Sequence, residues 1–364
     1  MRPTRVGSNP AVAETAGRGT RLTMKQIGEM VGVSQSTVSR VLSGASMNVP
    51  VAPETRERIV RLVAELGYTP NPMARALSTA RTGLLGLIVR DINDPFFGLA
   101  VAEITAEARK HGYSVVLGHV GSRADEAIAL SQALAMGHCD GVILLGDVRD
   151  QSKLWLTGAA RGLPLVGLWQ GGRAPQVAVV NVDNHTGISL AVEHIVALGH
   201  RQILFLQGGR TGDGLERREA FVCAMRERGF EQPEQGVHVI TNEFVAAARS
   251  VETLLRARPR PTAIIASTDV AAIGALKAAS LVGVRVPEQL SVVGFDDIPL
   301  AEVTVPSLTT VRQPMRQLSQ LAVGRLLELI AHPSEKPDKP QVVTPKLVLR
   351  GSTAAPPYSR STRQ

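Results

Sequence analysis

The sequence predicts an all-α N-terminal region followed by a two-lobed α/β region. The first 82 residues contain no run typical of a strand, whereas short apolar runs alternate with helix-length amphipathic segments from Leu84 onward. Strands that are apolar along their whole length and are separated by helices indicate parallel sheets covered on both faces. The strand candidates are Leu84–Val89, Ser114–Gly118, Gly141–Leu145, Pro164–Trp169, Ile203–Gln207, Val237–Ile240, Ala263–Ser267 and Ser291–Phe295. They exceed one typical open sheet, so we expect two sheets with a boundary near Val180–Asn184.

Composition narrows the class of protein. Of the 364 residues, 44% are hydrophobic and 20% are charged, which suits packed cores and is too apolar for a disordered chain. Two cysteines cannot build a disulfide framework or a multi-thiolate zinc site, and they suit a reducing compartment. No apolar run approaches the ~18 residues that span a bilayer, and residues 1–22 lack the apolar segment of a secretory signal. We therefore expect a soluble cytoplasmic protein.

The positive charge is concentrated at the N-terminus. Residues 1–82 carry 11 Lys and Arg against 5 Asp and Glu, whereas residues 83–364 carry 29 against 27. This asymmetry favours contact between the N-terminal region and a polyanion, although a solvated basic tail is an alternative that charge alone does not separate. Residues 1–22 are expected to form a disordered basic extension, whose arginines either contact phosphates nonspecifically or do nothing.

The N-terminal region is predicted to contain three short helices. Thr23 is suited to cap a first helix that ends at Gly32, and Ser34 is suited to cap a second helix over residues 35–42. Pro53 suits the first turn of a third helix. The apolar positions that predict a shared core are Met24, Ile27, Met30 or Val31, Val38, Val41, Leu42, Ile59, Leu62, Val63 and Leu66. The first two helices form a helix-turn-helix pattern, which alone is a weak signal because many helical hairpins bind no nucleic acid.

Specific strings of residues make this pattern informative. The segments that resemble the DNA-binding domain of the lactose/galactose repressor (LacI/GalR) family are MKQI at 24–27, GVSQSTVSRVL at 32–42 and LGYTPN at 66–71. Further strings follow in the family's order: RTG at 81–83, DPFF at 94–97, LGHR at 198–201, VRVP at 284–287, SVVGFDD at 291–297 and LTTV at 308–311. The resemblance covers about residues 23–353. It implies a helix-turn-helix headpiece with a hinge helix, followed by a two-lobed, periplasmic-binding-protein-like effector domain.

The resemblance implies a set of DNA-binding residues. The set is Ser34, Gln35, Ser36, Thr37, Ser39, Arg40, Tyr68, Asn71, Ala74 and Leu77. Gln35, Ser36 and Arg40 occupy the family's base-reading positions, where an arginine can pair with guanine and a glutamine with adenine. The remaining hydroxyls of the second helix are better placed to contact phosphates, and helix capping is the alternative for the serines.

Residues 72–77 (PMARAL) resemble the family's hinge helix, which folds on the operator as a dimer. A segment of about six residues is too short to form a stable helix in isolation, so ordering it would require DNA and a partner chain. Leu77 would be the wedge that unstacks a base step in the minor groove, and a linker leucine packed on the core is the alternative. The expected DNA-binding domain is therefore 23–70, with the hinge and linker at 71–82.

The α/β region resembles periplasmic sugar-binding proteins, in which a ligand lies between two lobes. Ligands of open α/β sheets bind at the carboxyl ends of strands, where several polar and aromatic residues of this sequence occur. The predicted effector-binding residues are Asp91, Phe96, Phe97, Trp169, Arg217, Asp296 and Gln313. The resemblance implies Arg217, with Arg218 an ambiguity of one position, as well as Asp296 and Gln313. Phe97 suits a core equally well, and Asp269 suits a structural helix cap.

The expected effector-binding and dimerisation domain is 83–351. The first lobe is predicted at about 83–181 plus 312–335 and the second at about 182–311 plus 340–351, with a disordered tail at 352–364. The tail contains no apolar heptads, which argues against a tetramerising coiled coil.

No arrangement of residues predicts catalysis. The glycine cluster at 208–214 matches neither G-x-G-x-x-G nor the P-loop pattern, and no metalloprotease or nucleophile-elbow motif occurs. A solute-binding protein for a transporter would fit the two lobes but not the appended helix-turn-helix.

We therefore predict a homodimeric repressor without enzyme activity, cofactor or metal. It would bind double-stranded, near-palindromic operator DNA and would have no membrane as a partner. A sugar, sugar acid or nucleobase-like effector would control it through cleft closure coupled to hinge-helix order.

Overall fold

The computed structural model describes most of the chain, and it divides the protein into two compact units, residues 1–81 and 82–364. The described residues are 22–43, 51–68, 81–120, 126, 128–130, 139–147, 162–169, 177–209, 212–333 and 339–357. The predicted extension at 1–22, except for Leu22, and the predicted hinge helix lie outside the described residues.

The first unit contains the helices α1 (Met24–Val31), α2 (Gln35–Ser43) and α3 (Pro53–Glu65). Thr23 and Gln26 cap α1 reciprocally: the Gln26 amide donates to Thr23 Oγ1 at 3.3 Å, and the Thr23 amide donates to Gln26 Oε1 at 2.9 Å. Ser34 Oγ accepts from the Thr37 amide at 3.2 Å and so caps α2. The predicted caps at Thr23 and Ser34 are confirmed.

The three helices share one small core. Its fully buried or nearly buried members are Ile27, Val31, Val38, Val41 and Ile59. Met30 is 57% exposed, so Val31 is the core residue of the two predicted alternatives. Arg58 Nη2 donates to the Val31 carbonyl at 3.2 Å, which ties α3 to the end of α1.

Gly28 lies where α1 packs directly on the turn into α2. A Cβ at this position would lie 2.6 Å from the Val33 carbonyl oxygen, so the backbone must shift to admit a methyl group. We expect Gly28→Ala to lower the free energy of unfolding of the headpiece by about 1–3 kcal/mol, measured by hydrogen exchange of the α1 and α2 amides. Gly98, a helical glycine with open space at its Cα, is the matched control, and Gly98→Ala should preserve stability. Unchanged exchange in Gly28→Ala would show that the turn adapts.

The second unit contains two six-stranded sheets. The first sheet, in spatial order, consists of β11 (Gln341–Val343), β5 (Ala178–Val182), β4 (Leu165–Leu168), β3 (Gly141–Leu145), β1 (Leu84–Val89) and β2 (Ser114–His119). The second sheet consists of β12 (Lys346–Val348), β10 (Thr309–Arg312), β9 (Ser291–Asp296), β8 (Ala263–Ala266), β6 (Ile203–Gly208) and β7 (Val237–Ile240). All pairings are parallel except that of β12 with β10. In each sheet the second strand along the chain lies on one side of the first strand, and the third lies on the other side. This change of direction creates a crevice at the carboxyl ends of the strands.

Helices cover these sheets. They are α4 (Pro95–Lys110), α5 (Asn184–Ala197), α6 (Asp213–Glu227), α7 (Phe244–Arg256), α8 (Asp269–Leu281), α9 (Leu300–Val303) and α10 (Met315–Ala331). The first sheet with α4 and α10 forms the first lobe, and the second sheet with α5 to α9 forms the second lobe. Within the described part of the chain, no helix combines the length and apolarity needed to span a bilayer.

The chain passes between the lobes three times: between β5 and α5, between β10 and α10, and between β11 and β12. Two of these crossings touch, because the Asp183 amide donates to the Val343 carbonyl at 2.9 Å. Residues 341–343 pair with β5 of the first sheet, which corrects the prediction that all of 340–351 belongs to the second lobe. The predicted boundary near Val180–Asn184 contains the first crossing, because β5 ends at Val182 and α5 begins at Asn184.

Residues 352–357 are packed in the second lobe, which corrects the predicted disordered tail over that stretch, and residues 358–364 lie outside the described residues. Ser352 is fully buried: its Oγ donates to the Val292 carbonyl at 2.6 Å and accepts from the Thr309 amide at 2.8 Å. The Ala354 carbonyl accepts from Ser291 Oγ at 2.9 Å. Hydrogen bonds, rather than apolar burial, hold this segment. Its polar composition therefore predicted disorder although the segment is ordered.

Candidate functional site

Polar and aromatic side chains converge at the carboxyl ends of the strands of both lobes. They line a cavity of about 450 Å³, a size suited to a small molecule. The first lobe contributes Arg90, Asp91, Asp94, Phe96, Phe97 and Asp147, and the second contributes Asp213, Arg217, Asn242, Thr268 and Asp296. Five of the seven predicted effector-binding residues therefore line one cavity: Asp91, Phe96, Phe97, Arg217 and Asp296.

Arg217 is held beneath this cavity by several partners. Its Nε donates to Asn184 Oδ1 at 2.8 Å, and its Nη1 donates to the Ser267 carbonyl at 2.7 Å and to Asp296 Oδ1 at 3.3 Å. The guanidinium carbon lies 3.8 Å from the centre of the Phe295 ring. A guanidinium that is only 3% exposed requires such compensation. Of the two neighbouring arginines, Arg217 lines this cavity and Arg218 does not.

Asp296 is connected to the first lobe through Gln313 and Trp169. Asp296 Oδ1 accepts from Gln313 Nε2 at 2.7 Å, and Gln313 Oε1 accepts from Trp169 Nε1 at 2.8 Å. Burial raises the pKa of the Asp296 carboxyl well above its ordinary value, and the Arg217 charge opposes that shift. Asp296 has a φ of 118° and Trp169 a φ of 57°, both in conformations that non-glycine residues rarely adopt. Backbone of this kind lies at two strand ends beside the cavity, one from each lobe.

Trp169 and Gln313 lie behind the cavity rather than in its lining. Trp169 is 1% exposed and packs edge-on against Phe96, with 4.7 Å between ring centres. Phe96 also contacts Phe97 edge-on at 5.6 Å. Sequence reasoning placed Trp169 correctly at a strand end but did not show that Phe96 stands between it and the cavity.

Several cavity residues are missing from the predicted set, and Asp94 and Asn242 are two that hydrogen-bond to each other. Asp94 Oδ1 accepts from the Phe96 amide at 3.0 Å and caps α4, while its Oδ2 accepts from Asn242 Nδ2 at 3.0 Å. Burial raises the pKa of Asp94. Asp94 belongs to the quoted DPFF string, and Asn242 follows β7, so the strand-end argument could have identified both.

Asp269 has a structural position, but it does not cap its helix. Thr268 Oγ1 caps α8 by accepting from the Ala271 amide at 3.2 Å. Asp269 is fully buried and accepts from Thr310 Oγ1 at 2.5 Å and from the Ile298 amide at 2.8 Å. Burial raises the pKa of the Asp269 carboxyl to about 7.

The raised pKa of Asp269 predicts how stability changes with pH. Between the ordinary value of 3.8 and about 7, the folded protein keeps a proton that the unfolded chain releases. The free energy of unfolding therefore falls as the pH rises through this interval. Asp269→Asn should flatten this dependence, measured by urea denaturation at several pH values. An equally steep profile would assign the dependence to Asp94 and Asp296, whose pKa values burial also raises.

The first unit presents the predicted DNA-binding residues on α2 and before it. Gln35 and Ser36 are exposed, whereas Thr37, Ser39 and Arg40 are partly buried. Ser34 Oγ lies 2.7 Å from Ser36 Oγ and 2.9 Å from Thr37 Oγ1, so the hydroxyls cluster at the helix start, where an anion is favoured. Tyr68 packs against the headpiece core. Asn71, Ala74 and Leu77 lie outside the described residues.

No group of three or more His, Cys, Asp and Glu side chains is arranged to hold a metal ion in the portion of the chain that the structure describes. The groups that line the cavity include hydrogen-bond donors, carboxylates and aromatic rings. The fold and the site together define a class of protein, a DNA-binding regulator with a ligand module. The features that define it are a three-helix headpiece with a capped second helix and a two-lobed module with a polar cleft.

Comparisons with known proteins agree with this class. Residues 23–71 match the model for bacterial regulatory proteins of the lacI family, and residues 192–353 match that for a periplasmic binding protein-like domain. The ribose operon repressor of Haemophilus influenzae is 33% identical over 332 residues, which cover 91% of this chain and 98% of that protein. The regulator GalS of Salmonella typhimurium is 32% identical, covering 84% and 89%. The chain therefore belongs to the lacI family, and the predicted family and fold class are confirmed.

A solved structure shows the same architecture over nearly the whole chain. The lac repressor dimer bound to operator and the anti-inducer ONPF matches with a TM-score of 0.83 and 29% identity, covering 92% of this chain and 100% of that one. The CelR–cellobiose complex matches with a TM-score of 0.68 and 30% identity, covering 91% and 100%.

Proposed function

We propose that the protein is a homodimeric transcriptional repressor whose affinity for operator DNA is controlled by a small polar effector. The observation that carries this proposal is the cavity, because Arg217, Asp296 and Phe96 converge there from elements of both lobes. Relatives support it: one is named a ribose operon repressor, and another was solved as a dimer on its operator. The proposed site of action is the cytoplasm, and the cleft is proposed to bind its ligand without transforming it.

On the DNA side, α2 is proposed to enter the major groove. Arg40 would read guanine and Gln35 adenine, while the hydroxyl cluster at Ser34 contacts phosphate. Exposure of Gln35 and Ser36 supports this arrangement. Leu77 is proposed as the minor-groove wedge of a hinge helix that forms on DNA.

On the ligand side, the cavity supplies groups suited to a sugar, sugar acid or nucleobase-like compound. Carboxylates such as Asp296 accept short hydrogen bonds from ligand hydroxyls or amides, and Phe96 offers an apolar surface for a less polar face. Closure of the lobes on the ligand is proposed to alter the order of the hinge helices and hence operator affinity.

The test combines operator selection with ligand screening on the full-length protein. We expect a near-palindromic site to be enriched from random DNA, and at least one sugar, sugar acid or nucleobase to raise the melting temperature and change operator affinity. Enrichment of no sequence would contradict the DNA-binding role. A ligand that stabilises the protein but leaves operator affinity unchanged would contradict effector control.

A further inference from the structure

One amide side chain bridges the two lobes across the cavity. Asn242 follows β7 in the second lobe, and its Nδ2 donates to Asp94 Oδ2 of the first lobe at 3.0 Å. Its Oδ1 accepts from Thr268 Oγ1 at 2.6 Å. Asp94 caps α4 and Thr268 caps α8, so Asn242 connects the N-terminal ends of two helices from opposite lobes.

The orientation of this amide is determined by its surroundings. Thr268 donates to one end of the amide, which directs the other end, a donor, toward Asp94. A Cβ on Gly208 would lie 2.9 Å from Asn242 Oδ1, so the side chain rests closely on the end of β6. Asp94 is only 7% exposed, and a hydrogen bond to a carboxylate sheltered from water is stronger than one in bulk solvent.

We propose that Asn242 is a positioning residue that holds the lobes together before the effector binds. The bond joins the second lobe to Asp94 of the first, so it favours the arrangement of the lobes that the structure shows. A ligand that binds this arrangement of the lobes then binds more tightly, since a larger fraction of the protein is already competent. This inference rests on the proposed function for its effect on DNA, whereas the effect on lobe closure stands independently.

The test exchanges donor and acceptor. Asn242→Asp places two carboxylates face to face, which removes the bond and adds repulsion at about pH 8. Combining it with Asp94→Asn restores a donor and an acceptor in the reverse order and keeps a residue that can cap α4. Asp94→Asn alone completes the cycle of variants, because it removes the carboxylate that accepts from Asn242 and keeps a residue that can cap α4.

The measurement is the distance between lobes in the effector-free, full-length protein, by electron spin resonance on dimers with one labelled subunit. The native thiol of Cys223, exposed on α6, carries one label, and Lys110→Cys at the exposed end of α4 carries the other. Cys139 stays unlabelled because it is buried and burial raises the pKa of its thiol to about 11.

We expect Asn242→Asp to lengthen and broaden this distance, and the double variant to restore it. Effector-free operator affinity should change about 5-fold in the single variant and return in the double. An unchanged distance in Asn242→Asp, or no recovery in the double variant, would overturn the proposal. If neither the variants nor the unmodified protein binds operator, the proposed function is contradicted. The distance between the lobes would still decide the role of Asn242.

Discussion

Replacing Arg217 with alanine is expected to abolish the effector response and to lower the free energy of unfolding of the second unit by about 3–5 kcal/mol. The change leaves Asp296 buried without its cation and removes the donors that satisfy Asn184 and the Ser267 carbonyl. Urea denaturation measures the stability, and fluorescence anisotropy on labelled operator measures the response. Arg218→Ala is the matched control, because this neighbour does not line the cavity, and it should change stability by less than about 0.5 kcal/mol.

A second variant separates binding from folding in case Arg217→Ala unfolds the protein. Asp296→Asn keeps an acceptor at the Oδ1 position for both Arg217 and Gln313, so the fold should survive. It removes a carboxylate that lines the cavity, and we expect effector affinity to fall by at least about 10-fold with operator binding retained. A full effector response in this variant would show that the ligand binds elsewhere.

Arg40→Ala is expected to weaken binding to the selected operator by about 1–3 kcal/mol and to relax the preference at one base pair. The reason is that a guanidinium reading a base edge contributes little to nonspecific DNA, where phosphates supply most of the affinity. Binding to a panel of operators with single base changes measures both effects. Arg61→Ala, an exposed arginine of α3, controls for the loss of one positive charge. A uniform loss on every sequence would make Arg40 a phosphate contact instead.

Much of the fold was predictable because buried parallel strands are apolar along their whole length. Seven of the eight predicted strands begin at the predicted residue. Strands β5, β10, β11 and β12 were not predicted, because their sequences lack a long apolar run. Strand β10 contains Thr309 and Thr310, which are fully buried with their hydroxyls hydrogen-bonded to neighbouring groups. In β5, Asn181 interrupts the apolar run, and β11 and β12 have three residues each.

The candidate site was predictable where a strand end coincided with a familiar string of residues. Asp296 met that condition, because it ends β9 within the string SVVGFDD, whereas Arg217 lies on α6 and was predicted from the family resemblance. The cavity brings the two together. Asn242 did not meet the condition, because no motif surrounds it and its significance depends on Asp94, which is 148 residues away in sequence. Which side of Phe96 faces Trp169 depends on side-chain packing across the lobe, and sequence patterns do not encode that packing directly.

The completion of both sheets by the last stretch of the chain has a consequence for how the protein is made. The first sheet receives its edge strand from residues 341–343, and the second receives β12 and the buried Ser352 after that. The described residues of the headpiece core, in contrast, all lie before residue 69. During synthesis the headpiece can fold as it leaves the ribosome, whereas neither lobe is complete until nearly the whole chain has emerged. A prematurely terminated chain would therefore carry the DNA-binding helices without a finished ligand module.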